Sequence, residues 1–564
     1  MKNFKNAYIF FIAAVMLLAS CSEDILDLKP TDKLSDATVW ADLKLVDVYV
    51  NQSYNSLALT SWGSNAATAA TLGWGSHQGV YGYWSGAAVD EIFEYHDRDG
   101  WCIKSDWILR GELSSTNLSS IGRWKKNYSL IRAINTYFEK ESIIKGDAAE
   151  IKKLSAQMYA LRAWNYIHLV KNYGGVPIIT KVFSTTDTEF QEVRKTLDEC
   201  VTFIMKDLDE AIANLPLTYG AADAGRVTKG AAMAMKANFL LWLASPLNNT
   251  SNDQAKWTAA SNAAKAVIDM PQYALYKPAL YENIFIDKAN SEVILAKYIN
   301  GTAENYGATH FESTTVNRDL APNSYGGWGM GTPIQNVVDD FEMADGTPFS
   351  WSNPVHAAAP YANRDPRFDA TIFYDGRMHR GETVDTYEGG KDNPIGAKVE
   401  PTNATQTGYY LRKFVDPAWN TKDWNYTGMV IFIRLTEIYL NYAEAQQALG
   451  NYTEALKYVN LIRARAGMPA LTGSGTDLRD KIRHERRIEL AFEGQRYYDL
   501  RRWKILDQGM GDAIGMKIVK NSDGTKTYSK KTIQKRIYNE KVYWQPIPLT
   551  EIQKNGKLVQ NPLY

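Results

Sequence analysis

The chain has 564 residues and carries 63 Lys plus Arg against 63 Asp plus Glu, a balance without the basic stripe that nucleic acid demands. Three cysteines in that length make no disulfide scaffold, and the seven histidines fall at no metal-ligand spacing. The aromatic count is high, with 16 Trp, 34 Tyr and 18 Phe, and the length suits one large or two modest domains.

The first element in chain order reads as an export signal. Lys2 and Lys5 precede an apolar run from Ala7 to Leu18. That run is too short for a spanning helix, which takes roughly 20 residues, and fits a signal h-region. Leu18-Ala19-Ser20-Cys21 resembles a bacterial lipobox, in which the cysteine is diacylated and becomes the first residue of the mature chain. Ser22 follows, not Asp, so the inner-membrane retention signal of some bacteria is absent, and Ser22-Glu23-Asp24 resembles the acidic surface-export tag of Bacteroidetes lipoproteins. Acyl chains contribute about 0.8 kcal/mol per buried CH₂, so several make a firm anchor. Cys21 is therefore the expected lipidation site. Residues 1–20 hold two lysines and no acid, which leaves 61 basic and 63 acidic side chains from Cys21 onward. No later apolar run reaches spanning length. Cys102 and Cys200 remain as thiols, free or paired.

Residues 21–40 form the tether, and helical periodicity then dominates 41–270 and 431–564. The first helical pattern runs from Trp40 to about Leu57, opening near Asp36. Residues 151–170 form a helix stopped by Gly174-Gly175 with Pro177 beyond; 197–214 stops at Leu215-Pro216, 229–244 at Ser245-Pro246, and 254–269 at Met270-Pro271. Residues 271–430 change texture. "DGTPF", "NRDPRFDATIFYDG" and "GYYLRKFVDP" read as turns and short strands, a loop-rich variable lobe inserted in a helical scaffold. Helical spacing then returns: Leu435, Ile438, Tyr442, Ala445 and Leu449 share one face, Gly450 breaks it, and a second helix carries Val459 and Ile462 inward. Gly-x-Tyr-x-x-Ala at that break resembles the turn of a tetratricopeptide repeat, where small Ala443 and Ala455 admit close helix approach.

"DKIRHERRIELAFEGQRYYDLRRWK" (480–504) resembles the C-terminal signature of the SusD/RagB family of Bacteroidetes nutrient-binding lipoproteins. The lipobox, "AVDEIF" (88–93), "LRAWNYIHLVKNYGGVPIIT" (161–180), "RVTKGAAMAMKANFLLWLASP" (226–246), "DPRFDATI" (365–372) and "RLTEIYLNYAEA" (434–445) match in the expected order, so the resemblance covers nearly the whole mature chain. It implies a mainly α fold: a tetratricopeptide-like scaffold of about eight paired helices with the variable lobe inserted. It also implies lipid anchoring at the cell surface in the outer membrane, a SusC-like TonB-dependent transporter as partner, and a nutrient ligand, most often a glycan. One branch of the family is adapted to peptides.

Charges along the signature read as one helical stretch, where Glu489, Glu493 and Arg496 at i, i+4 and i+7 support a helix. Glu485, Arg487, Glu489 and Arg496 are expected to form a structural ion-pair network, with Arg487 and Arg496 its buried members because the guanidinium fork satisfies several acceptors. The resemblance gives Asp90 and Glu91 a structural role near the ligand lobe. Catalytic signals are missing: no carboxylate pair stands out for glycoside hydrolysis, "HERRI" (484–488) lacks the second histidine of a zinc site, and neither a Gly-x-Ser-x-Gly elbow nor a phosphate loop occurs. No cofactor is called for; a structural calcium stays open, without a twelve-residue acidic loop to support it.

Binding has better support. A sugar offers a C–H face to a flat ring and hydroxyls to polar edges and water. The Gly-rich segment 71–107 supplies Trp74, Tyr81, Tyr83, Trp84, Trp101 and Trp107 as faces, with His77, Gln78, Asp97 and Arg98 as edges. "NSYGGWGMG" (323–331) adds Asn323, Tyr325 and Trp328. The candidate ligand contacts are Trp74, Tyr81, Tyr83, Arg98, Trp101, Asn323, Tyr325 and Trp328, while Trp84 and Trp107 are expected to pack inward.

Overall fold

The computed structural model describes residues 36–57, 85–94, 106–119, 121–184, 187, 191–277, 280–298, 316–397, 400–419 and 428–564. Cys21, Trp74, Tyr81, Tyr83, Trp84, Arg98, Trp101 and Cys102 lie outside the described residues.

Among the described residues, after a helix Leu43–Ser53, eight long helices follow: α1 Trp124–Lys140, α2 Ala148–Tyr173, α3 Leu197–Asn214, α4 Lys229–Ala244, α5 Gln254–Ile268, α6 Leu435–Ala448, α7 Tyr452–Ala466 and α8 Gly475–Glu489. A short α9, Arg496–Arg502, completes the set used here. Local chemistry sets their ends. The Asp147 carboxylate accepts from the Ala149 and Glu150 amides, which starts α2 three residues before the hydrophobic pattern does, and Gly174 at φ 73° closes it. A reciprocal Thr196–Glu199 capping box opens α3. Each long helix packs on the next, from α1 on α2 through α6 on α7, with α8 against α6 and α7. At the α6–α7 turn Ala443 and Ala455 are fully buried and the Tyr442 and Tyr458 rings meet nearly edge-on at 4.8 Å. The expected tetratricopeptide-like scaffold is present. Among the described residues no helix is long and apolar enough to cross a membrane.

The strands are short and pair in antiparallel twos. β1 Ile92–Glu94 pairs with β3 Gly331–Pro333, and β2 Val293–Tyr298 pairs with β4 Met429–Arg434, which runs straight into α6. β5 Ala513–Lys520 and β6 Lys526–Gln534 form a hairpin. Between 271 and 430 no described helix exceeds six residues, in keeping with a loop-rich lobe. The boundary at 430 is less clean than the sequence suggested. The β5–β6 hairpin packs on the lobe: Glu388 N donates to Ile518 O and Met516 N to Thr407 O, both at 2.8 Å, and Lys530 pairs with Asp339 at 2.6 Å. Residues 513–534 therefore belong with the lobe, although a helical span 431–564 was expected.

A second correction concerns the signature. It is two helices, not one stretch: α8 ends at Glu489, and residues 490–495 turn the chain with Phe492 at φ 66° and Gly494 at φ 81° before α9. The buried Lys413 ammonium explains the break. It donates to the Glu489 and Ala491 carbonyls, both at 2.9 Å, and so draws acceptors away from a continuing helix.

Candidate functional site

The loop 316–330 is built to hold two rings at a fixed height. A helical turn, Val316–Leu320, leads to Pro322 and the tight turn Asn323–Tyr325, after which Gly326 takes φ 77°. A Cβ at Gly327 would sit 1.9 Å from the Ala321 carbonyl oxygen, so only glycine fits there. Trp328 N donates to Arg318 O at 2.6 Å and Met330 N to Asp319 O at 2.8 Å, which folds the loop back on itself before it enters β3.

The three sequence candidates here have different surroundings. Asn323 is 2% exposed, and its side-chain amide donates to the Glu400 carbonyl at 3.3 Å, so it faces the protein. Tyr325 is half-buried; its hydroxyl donates to the His379 carbonyl at 2.8 Å, and its ring meets the His379 ring at 4.8 Å. The Tyr325 hydroxyl also lies 3.3 Å from the Glu382 carbonyl at the exposed side. Trp328, also half-buried, rests on the main core with the Arg318 guanidinium 5.6 Å from its ring centre. Burial and the neighbouring Glu382 and Asp392 carboxylates push the Tyr325 phenol up to about 12, so it stays protonated. Burial, with Arg412, Arg380 and Arg377 adding, pushes His379 down to about 4, so no imidazolium stands beneath the ring.

Sequence reading missed the rim. Lys391 places its ammonium 5.6 Å from the Tyr325 ring and pairs at 2.5 Å with Glu382, whose side chain is 68% exposed. Asp392 is fully buried and accepts from the Ser324 amide at 2.8 Å and the Asp385 amide at 3.0 Å, which fixes the lobe's 382–392 turns against the loop. The Asp-Gly and Gly-Gly turns at 375–376 and 389–390 were the only local sign. Two half-open rings with an exposed ion pair at one edge can stack on an apolar face and hydrogen-bond hydroxyls. Among the described residues no group of three or more His, Cys, Asp or Glu is placed to hold a metal ion. Trp107 is half-buried against a cluster containing Val89 and Leu500. Cys200 carries a free, buried thiol 3.5 Å from the Val176 carbonyl.

Below this loop lies a dense ion-pair network. Glu489, fully buried, meets Arg367 and Arg434, each at 2.9 Å, and also Arg465. Glu485 pairs with Arg367 at 2.5 Å and Arg463 at 2.9 Å. Arg434 continues to Glu292 and Glu493, both at 2.7 Å. Burial alone pushes the Glu489 carboxyl up, but Arg465, Arg434, Arg367 and Lys413 overcome it and hold it far below the ordinary carboxylate range. Arg487 is buried and reaches Asp340 at 2.8 Å, Asp90 at 3.1 Å and Glu91 at 3.6 Å. Arg496 was expected to be buried too. It is mostly buried, with 15% of its side chain exposed, and pairs with Asp90 at 2.8 Å, not with Glu489 or Glu493, because the 490–495 turn swings it toward residue 90. Arg367, Arg434 and Arg463 are among the most deeply buried guanidiniums of the described residues; nothing in their local sequence marks partners more than a hundred residues away.

Comparison with known proteins bears on both regions. A family model described as "SusD family" matches residues 291–564, and one described as "Starch-binding associating with outer membrane" matches 91–241. The chain belongs to the SusD/RagB family. This SusD-like chain is 24% identical to SusD-like protein P2 of Formosa agariphila, over 100% of its own length and 99% of that protein. A SusD-like protein from Bacteroides fragilis superposes with TM-score 0.77 at 29% identity, covering 95% of this chain and all of that one. A SusD-like carbohydrate-binding protein, also from Bacteroides fragilis, gives 0.75 at 24% identity, covering 93% and 100%.

Proposed function

We propose that the protein is a cell-surface lipoprotein, anchored through Cys21, that binds a glycan and passes it to a TonB-dependent outer-membrane transporter. No bond is broken; capture and release are the whole mechanism. The observation that carries the reading is the pair of half-buried rings, Tyr325 and Trp328, on a tightly turned loop beside the Lys391–Glu382 ion pair in a SusD-like fold. A shallow platform of this kind binds at tens to hundreds of micromolar, about 5–6 kcal/mol, and avidity along a polymer raises the apparent affinity. Trp74, Tyr81, Tyr83, Arg98 and Trp101 extend the proposed contact surface. The supporting resemblance includes a carbohydrate-binding relative of the same fold.

Calorimetry against amylopectin, a β-1,3-glucan, pectin and alginate, with a peptide digest as counter-panel, tests this reading. Saturable binding to a polysaccharide without release of reducing ends supports it. Binding of peptides only would move the ligand to the peptide class, and glycan cleavage would overturn the reading. Cys21→Ala is expected to free the protein from the membrane fraction.

A further inference from the structure

Residues 85–94 form a strap between the signature helices and the candidate loop. On the scaffold side, Arg487 donates to the Asp90 carbonyl at 2.8 Å and Arg496 to the Asp90 carboxylate at 2.8 Å. Phe492 N donates to the Glu91 carboxylate at 3.3 Å, Ser85 Oγ to Gly494 O at 3.1 Å, and Arg536 to the Val89 and Ile92 carbonyls at 2.5 and 3.0 Å. On the other side, β1 pairs with β3, with Phe93 opposite Thr332, and Ile334 N donates to Glu91 O at 3.0 Å. β3 begins three residues after Trp328. Arg487 also reaches Asp340 at the end of the helix Gln335–Asp340, so one guanidinium holds both the strap and the segment leaving the loop.

The charges at this junction do not make an economical core. A buried ion pair is about neutral against well-packed apolar residues; its surer effect is to fix which groups meet. Gly86 shows how closely the strap is drawn in, since a Cβ there would lie 2.6 Å from the Glu91 carboxylate. Glu91 Oε2 is buried without a hydrogen-bond partner among the described residues, and Glu91 and Arg487 line a small cavity with Leu490, Gln495 and Trp503. That unmet acceptor sits between the signature helices and β1.

We propose that Asp90 and Glu91 are positioning residues for ligand binding: gripped by Arg487 and Arg496, they hold β1, and through β1–β3 they fix the height of the Tyr325–Trp328 loop. The proposal rests on the ligand-platform reading of that loop.

Two readouts on the full mature chain test it: hydrogen exchange of residues 328–335, and calorimetry with whichever polysaccharide of the panel the wild type binds. Asp90→Asn and Arg496→Gln are expected to speed exchange and weaken binding by about tenfold each. Asp207→Asn, which breaks the buried Arg162–Asp207 pair between α2 and α3, is the control, expected to lower the unfolding midpoint while leaving both readouts unchanged. Should Asp90→Asn not fold, Arg496→Gln, at the less buried end of the grip, carries the test. Unchanged exchange and affinity in the strap variants, or equal changes in the control, would overturn the proposal. If no polysaccharide binds the wild type, the glycan reading fails instead, and exchange still reads whether the strap fixes the loop.

Discussion

The clasp around Glu489 and the platform around Tyr325 use the same ingredients to opposite ends. In the clasp, a fully buried carboxylate meets three guanidiniums, so charge is matched inside the protein. On the platform, two half-buried rings lie 5.6 Å from a cation, and the one close carboxylate partner of Lys391 stands 68% exposed. Groups satisfied internally build architecture; groups satisfied only in part can trade solvent for a ligand. The difference is set by which side chains the turns bring inward.

The sharpest way to break this comparison is to remove a carboxylate from the clasp. Glu489→Ala leaves Arg367, Arg434 and Arg465 short of a buried partner and is expected to cost about 3–5 kcal/mol, read from urea unfolding. Acid probes the same contrast. Burial pushes the Glu444 carboxyl up, but Arg502 and Arg486 overcome it and hold it at about 2 against an ordinary 4.5, and Glu489 is displaced in the same direction. Groups with lowered folded values stabilise the fold above the ordinary range, so the urea midpoint should fall as pH drops from 4.5 toward about 2. Glu444→Gln should shrink that dependence.

The platform should behave otherwise. Trp328→Ala is expected to weaken glycan binding by about 1–1.5 kcal/mol, or five- to tenfold, with a smaller change in unfolding midpoint than Glu489→Ala gives. Glu91 tests the comparison from the opposite sign: burial outweighs Arg487 and, with Asp90 adding, raises its carboxyl from 4.5 to about 7. A raised acid stabilises the folded chain at low pH, and that contribution is lost as pH rises through about 7. Glu91→Gln, neutral throughout, should flatten the urea midpoint between 4.5 and 7.

Much of the scaffold was legible because helix ends carry local chemistry. The expected spans 197–214 and 229–244 coincide with α3 and α4, where Thr196, Pro216, Thr228 and Pro246 stand at the ends. The start of α2 was placed late because Asp147 caps residues that show no apolar period. The β5–β6 hairpin was overlooked although Asp523-Gly524 sits between two alternating runs, a turn signal submerged by neighbouring lysines. The signature was legible as a charge cluster, but its partners were not. Glu485 meets Arg367 and Glu493 meets Arg434 across 118 and 59 residues, and no local pattern encodes such a meeting. The candidate loop followed from glycine spacing, whereas its rim, Lys391 and Glu382, became visible only in three dimensions.

The strap has a consequence for the order in which the molecule sets. Arg487 and Arg496 grip residue 90 across 397 and 406 positions of chain. Contacts of such separation are the slowest to close, and this one cannot exist until nearly the whole polypeptide has been made. The helical pairs, built from neighbours, can assemble as they emerge. The grip on β1 therefore closes late, and the candidate loop takes its final place only once most of the chain is present.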